Sequence, residues 1–133
     1  VRPYALTHHV ELDIEPDLLL RSDRLMLTTL VENLISNACK YSLDQWVSLS
    51  VRRDKPAQGA AVVRIAVANR VAADTEPDEA RLFERYYRHP AVSDQPGTGM
   101  GLHIARSAAS KIGATICYSI ADKVVNFEVS VPC

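Results

Sequence analysis

Two asparagines four residues apart, Asn33 and Asn37, stand in the run TLVENLISNACKYS at 29–42. Around them Leu30, Val31, Leu34, Ile35 and Ala38 recur with a helical period, so one face of this helix packs into a core. Residues four apart share a side of a helix, which places both amides together at or near that face. A buried amide without partners costs about 1–3 kcal/mol, so the pair must be satisfied. The plainer solution is two partly exposed amides bonded to nearby loops. The chemical one is a pair of neutral oxygen ligands facing a phosphate-bound metal ion. Magnesium takes oxygen ligands, and substrate phosphates supply several of them. A second cluster lies far down the chain. GTGMGL at 97–102 spaces Gly97, Gly99 and Gly101 two apart, directly before a helical pattern. Glycines let backbone approach a ligand closely, and a helix N-terminus turns free N–H groups and partial positive charge towards it. That is the chemistry of a phosphate site. Alone, the same glycines describe a simple turn.

The elements that must position these residues follow from the patterning. Residues 8–14 alternate, with Val10, Leu12 and Ile14 on one side, which predicts a half-buried strand. His8 and His9 read as strand-edge surface. Ser22 or Asp23 is a suitable N-cap for a long helix through about Lys40. Residues 45–53 alternate as a second strand, and 54–59 form a hairpin-like turn. Residues 62–68 (VVRIAVA) are apolar on both faces, which predicts a central strand. Pro77 is well placed just inside a short helix over 77–86, and 89–96 is a loop. A third helix over 99–112 closes at Gly113, and 114–120 pairs with 124–131 as a hairpin. This order predicts an α+β two-layer sandwich, a mixed and mostly antiparallel sheet with three helices packed on one face.

Length and composition bound the remaining possibilities. The chain has 133 residues, enough for one domain with a real core. Its 47% apolar and 23% charged residues are globular proportions. A net charge of −1 gives no general attraction to nucleic acid or anionic membrane. No apolar run approaches the roughly 18 residues of a membrane span. Cys39, Cys117 and Cys133 lack metal-ligand spacing and fit small buried thiols in a reducing compartment better than a disulfide framework. The chain is expected to be one cytoplasmic domain, 1–133, of a longer protein.

Three motifs together carry a resemblance. NLISNACKY at 33–41, LFERYYR at 82–88 and GTGMGL at 97–102 resemble the N, F and G2 boxes of the ATP-binding catalytic domain of sensor histidine kinases. They occur in that family's order, and the likeness covers nearly the whole chain. It implies the fold shared with ATPases of the heat-shock protein 90 and DNA gyrase type. It implies ATP and Mg2+ as ligands, with Asn37 the first metal ligand and Asn33 the second residue on the metal or its waters. Lys40 would reach the phosphates and Tyr41 the ribose or phosphates. Gly97, Thr98, Gly99, Met100, Gly101 and Leu102 would line the phosphate loop. Arg88, rather than Arg85, would reach the γ-phosphate as a lid closes, while Phe83, Tyr86 and Tyr87 read as lid packing. Asn37, Lys40 and Arg88 are thus the expected catalytic set. Plainer readings stand beside these: Lys40 as a cation complementing a helix dipole, Tyr41 as a core contact, Arg88 as a solvated ion-pair partner.

In the related ATPases, the position matching Asn33 carries a water-activating glutamate. An amide cannot act as a general base, so transfer to another acceptor is favoured over hydrolysis. The implied reaction is γ-phosphoryl transfer to a histidine on a separate dimerisation and phosphoacceptor domain, followed by a response regulator in a two-component system. The resemblance implies a homodimeric parent anchored in the inner membrane. No histidine here has the acceptor's context, so the domain alone is expected to bind nucleotide without autophosphorylating.

One motif departs from the family. Its G1 box, Asp-x-Gly-x-Gly, is replaced by Asn69-Arg70-Val71-Ala72-Ala73. Asn69 can still accept a hydrogen bond from an adenine amino group, without the carboxylate's charge. Val71 is β-branched and resists positive φ, so the loop must take another path. The departure keeps two other readings open: a non-catalytic nucleotide-sensing or protein-interaction module, and a serine kinase of the anti-sigma-factor type.

Overall fold

The computed structural model describes residues 9–55, 59–71 and 101–132. In chain order these form β1 (His9–Ile14), α1 (Arg24–Tyr41), β2 (Trp46–Asp54), β3 (Val62–Arg70), α2 (Gly101–Lys111), β4 (Thr115–Ala121) and β5 (Val124–Pro132). The five strands make one sheet in the order β1-β2-β3-β5-β4. β1 runs parallel to β2, and every other pair is antiparallel. The mixed sheet expected from the sequence is therefore present. The short helix expected over 77–86, the following loop and residues 97–100 lie outside the described residues.

Alternation sets the layers. Val47 and Leu49 on β2, Val63, Ile65 and Val67 on β3, and Val125, Phe127, Val129 and Val131 on β5 are all buried. The register aligns them, with Leu49 opposite Val67 and Val67 opposite Phe127, so they share one face. Onto it α1 brings Leu30, Leu34, Ile35, Ala38 and Cys39, while α2 brings Leu102, Ala105, Ala108 and Ala109, in one continuous core. α1 packs on β2 and β3, α2 packs on β4, and the two helices pack against each other. The small residues of α2 allow that close approach.

The ends of the elements have local causes. Asp23 is the N-cap of α1, its carboxylate accepting from the Met26 N–H at 3.0 Å. Such a cap contributes about 1 kcal/mol. α2 ends in a Schellman motif. Gly113 sits at φ +72°, its N–H donates to the Ser110 carbonyl, and the Ala114 N–H donates to the Ala109 carbonyl at 2.8 Å. β4 and β5 join through Asp122 and Lys123, both at positive φ (52° and 62°), the two-residue turn whose twist matches a hairpin.

Two expectations are corrected. β1 is not half-buried: Leu12 is 61% and Ile14 52% exposed. The alternation was real, and these side chains point to the same face as Leu49 and Val51. They lie at the sheet's outer edge, where the helix layer does not cover them. β3 is the central strand, but only one of its faces is buried. The other carries Arg64, which pairs with Asp54 on β2 and with Glu128 on β5 and also bonds Ser130. That half-exposed ion cluster joins three strands across the open face. The apolar look of 62–68 came from Ala66 and Ala68, small residues at partly covered positions.

Candidate nucleotide-binding site

Asn33, Asn37 and Lys40 fall at intervals of four and three on α1, so they form one stripe along it. All three are half-buried at the border of the packed face. Asn33 donates its amide N–H to the Thr29 carbonyl at 2.7 Å. That bond uses the nitrogen and leaves the side-chain oxygen as the group Asn33 can offer a ligand. No side-chain hydrogen bond joins Asn37 or Lys40 to another described residue. Lys40 lies in the last turn of α1, where its charge also complements the helix dipole. Tyr41 packs partly buried against the core, in line with its reading as a core contact.

Asn69 ends the buried row of β3 and is 1% exposed. It stands between Val47 and Val125 in the sheet. Its amide nitrogen donates to the Arg70 carbonyl at 3.3 Å. Its side-chain oxygen has no hydrogen-bond partner and is the only such buried side-chain atom among the described residues. An unpaired buried acceptor costs about 1–3 kcal/mol. A fold tolerates that cost where a ligand supplies the missing donor, so this oxygen fits the role expected of it towards an adenine amino group.

The same corner ties the site to α1. The Arg70 carbonyl also accepts the Leu43 N–H at 2.8 Å, two residues beyond the end of α1. Arg70 pairs with Asp44 at 2.8 Å and lies 4.2 Å over the Trp46 ring. Partial desolvation pushes the Asp44 carboxyl up. Hydrogen bonds from Arg70 and the Trp46 N–H, with the Arg70 charge, outweigh it and hold the group below its ordinary value. Nothing in the sequence singled out Arg70, because Asp44 and Trp46 meet it only through the β2–β3 pairing.

Val71, standing where the family has a glycine, is fully buried, and its N–H donates to the Lys123 carbonyl. It is not among the residues at positive φ. Val71 thus keeps the negative φ that its β-branched side chain requires, and it is braced by the β4–β5 turn. At the other end of the site, α2 begins at Gly101, with Leu102 anchored in the core. Leu102 can therefore offer a phosphate only its backbone N–H. Gly97, Thr98, Gly99, Met100 and Arg88 lie outside the described residues, and so do Arg85 and the aromatic residues near it.

The donor set suits a metal held mainly by phosphates. It consists of neutral oxygens on α1, with no cluster of three or more His, Cys, Asp or Glu among the described residues.

Comparison with known proteins places the chain in a family. The family described as histidine kinase-, DNA gyrase B-, and HSP90-like ATPases matches residues 22–133. The chain belongs to that family. Among curated relatives, the swarming motility regulation sensor protein RssA of Serratia marcescens is 33% identical over 98% of this chain and 28% of its own length. The sensor-like histidine kinase SenX3 of Mycobacterium tuberculosis is 34% identical over 80% of this chain and 26% of its own. The chain thus spans just over a quarter of these relatives. Among solved structures, the mycobacterial sensor histidine kinase MprB superposes with a TM-score of 0.67 at 24% identity, covering 92% of this chain and 82% of MprB. Full-length ShkA in complex with AMPPNP gives 0.68 at 24%, covering 98% of this chain and 27% of ShkA. These two likenesses concern the fold. The chain is an ATP-binding domain of the sensor histidine kinase type, and no helix among its described residues is long and apolar enough to cross a membrane.

Proposed function

We propose that this domain binds Mg·ATP and presents the γ-phosphoryl group to a histidine on a separate dimerisation and phosphoacceptor domain of its parent, a homodimeric two-component sensor kinase that passes the group to a response regulator. The observation that supports the reading is the buried, unpartnered oxygen of Asn69, the residue that stands in for the G1-box aspartate in the sequence resemblance. Asn37 and Asn33 would hold magnesium through their side-chain oxygens, and magnesium when bound would neutralise phosphate charge. Lys40 lies on the same stripe of α1 and adds a cation there. Gly97 to Leu102 would receive the phosphates, and Arg88 would meet the γ-phosphate. With an amide at position 33, no base activates water at that position, which leaves the phosphoryl group for an external acceptor. The work of the domain is then positioning and charge neutralisation.

Val71 favours one second reading. A buried valine in place of a glycine would reshape the base pocket, and a domain that had lost nucleotide binding would persist as a partner-binding module. Calorimetric titration with a non-hydrolysable ATP analogue, with and without magnesium, separates the two. Micromolar to sub-millimolar binding that weakens in Asn37→Ala and in Asn69→Ala supports the kinase reading. No binding at millimolar nucleotide by folded protein refutes it. Adding the parent's phosphoacceptor domain then tests transfer itself.

A further inference from the structure

Asparagine in a base pocket is ambiguous in a way that aspartate is not. Both carboxylate oxygens accept hydrogen bonds, whereas a carboxamide accepts at one end and donates at the other. Turned one way, Asn69 meets the amino group at position 6 of adenine. Turned the other way, it would donate to the oxygen that guanine carries at the same position. A pocket built on a free asparagine would therefore discriminate poorly between the purines.

The structure removes this freedom. The Asn69 nitrogen donates to the Arg70 carbonyl, and the oxygen is the atom left without a partner. A turn of the amide would set its oxygen against that carbonyl, two acceptors facing each other. The carbonyl is itself fixed, since it accepts the Leu43 N–H and belongs to a residue whose guanidinium is held by Asp44 and the Trp46 ring. Trp46 is braced in turn by Glu11 of β1, which accepts its indole N–H at 3.2 Å. The carboxamide is buried and the Arg70 side chain is 47% exposed, so the clamp acts on it from the surface.

We propose that Arg70 is a positioning residue for base selection: held by Asp44 and Trp46, it keeps its carbonyl on the Asn69 nitrogen, so that the pocket presents only an acceptor and takes 6-amino purines over 6-oxo purines. The proposal rests on the reading of this site as a nucleotide pocket. It assigns to the Asp44–Trp46–Arg70 cluster the adenine selectivity that a carboxylate would provide without help.

The test measures affinities of the whole chain for the non-hydrolysable analogues of ATP and GTP. One properly placed hydrogen bond discriminates by roughly three- to tenfold, and a repelled acceptor adds to that. The unaltered chain should prefer the adenine analogue by about tenfold or more. Arg70→Ala and Asp44→Ala should each narrow the preference by at least about threefold, chiefly by raising guanine affinity. The charge-exchanged pair Asp44→Arg with Arg70→Asp should restore part of it. In an Asn69→Asp background, Arg70→Ala should leave the preference unchanged, because a carboxylate has no donor to turn inward. A merely structural Arg70 would weaken both nucleotides equally in either background. An unchanged ratio in Arg70→Ala, with binding intact, overturns the proposal alone. Failure of the unaltered folded chain to bind either nucleotide overturns it together with the nucleotide reading.

Discussion

Replacing Asn69 by leucine should move stability and binding in opposite directions. The two side chains share their branching and number of heavy atoms, so leucine enters the same space with modest overpacking. The wild-type oxygen is buried without a partner, at a cost of about 1–3 kcal/mol. The bond given up, from the amide to the Arg70 carbonyl, is long at 3.3 Å and contributes no more than about 1 kcal/mol. The Arg70 carbonyl keeps the Leu43 N–H, so it is not orphaned. Two buried valines flank the site in the sheet, and a leucine continues that apolar row. The expected net effect without nucleotide is a gain of roughly 1–2 kcal/mol. For a domain of this size that raises Tm by roughly 3–10 °C. The same substitution removes the acceptor for adenine, so affinity for the ATP analogue should fall by about tenfold or more. Thermal denaturation with and without nucleotide reads both effects, because ligand stabilisation follows affinity. A folded Asn69→Leu protein that is less stable than wild type by more than about 1 kcal/mol would refute the account of the oxygen as unpartnered. Unchanged nucleotide stabilisation would refute its role in base binding.

Other consequences can be checked separately. Gly113→Ala should cost about 1–2 kcal/mol in urea denaturation. Its Cβ would meet only Pro132 at an ordinary 3.8 Å, so the penalty comes from φ +72° alone. Asn33→Glu supplies a base in place of the amide, and steady-state phosphate release from ATP should rise while transfer to a histidine falls. An unchanged release rate with nucleotide still bound would contradict the role given to position 33. Burial pushes the Cys39 thiol up, so at any given pH less of it is thiolate than in the unfolded chain. Alkylation of Cys39 in folded protein should therefore lag behind exposed Cys117 by orders of magnitude and accelerate only at strongly alkaline pH or on unfolding. Peptide mapping after timed iodoacetamide treatment measures both.

Most of the fold was legible because its elements are amphipathic with clear periods. The α1 face, the Asp23 cap, the Gly113 stop and the final hairpin each rest on interactions local in sequence. Burial of β1 was not legible, because alternation shows that a strand has an apolar side and not whether a helix reaches far enough to cover it. Leu12 and Ile14 are the instance. Among the candidate site residues, Asn33 and Asn37 stood out by their helical spacing, and Asn69 by standing where the resembling family has its G1 aspartate. The Arg70 clamp was not, because it joins β3 to the α1–β2 connection through sheet pairing that no local pattern announces.

The exposed edge strand has a mechanical consequence. β1 is bonded to a single neighbour, turns Leu12 and Ile14 towards water, and is fastened to β2 otherwise by exposed contacts such as Arg52 with Asp13. Opening it uncovers little that was dry, so its amides should exchange with solvent well ahead of those in β3, which is bonded on both sides. Whatever precedes His9 in the chain is joined to an edge strand of the sheet, while Asn69 sits two strands inward on the central one. A tug or a swivel arriving from that side is absorbed first as fraying at the margin, and it reaches Asn69 through the Glu11–Trp46 bond that braces the Arg70 clamp.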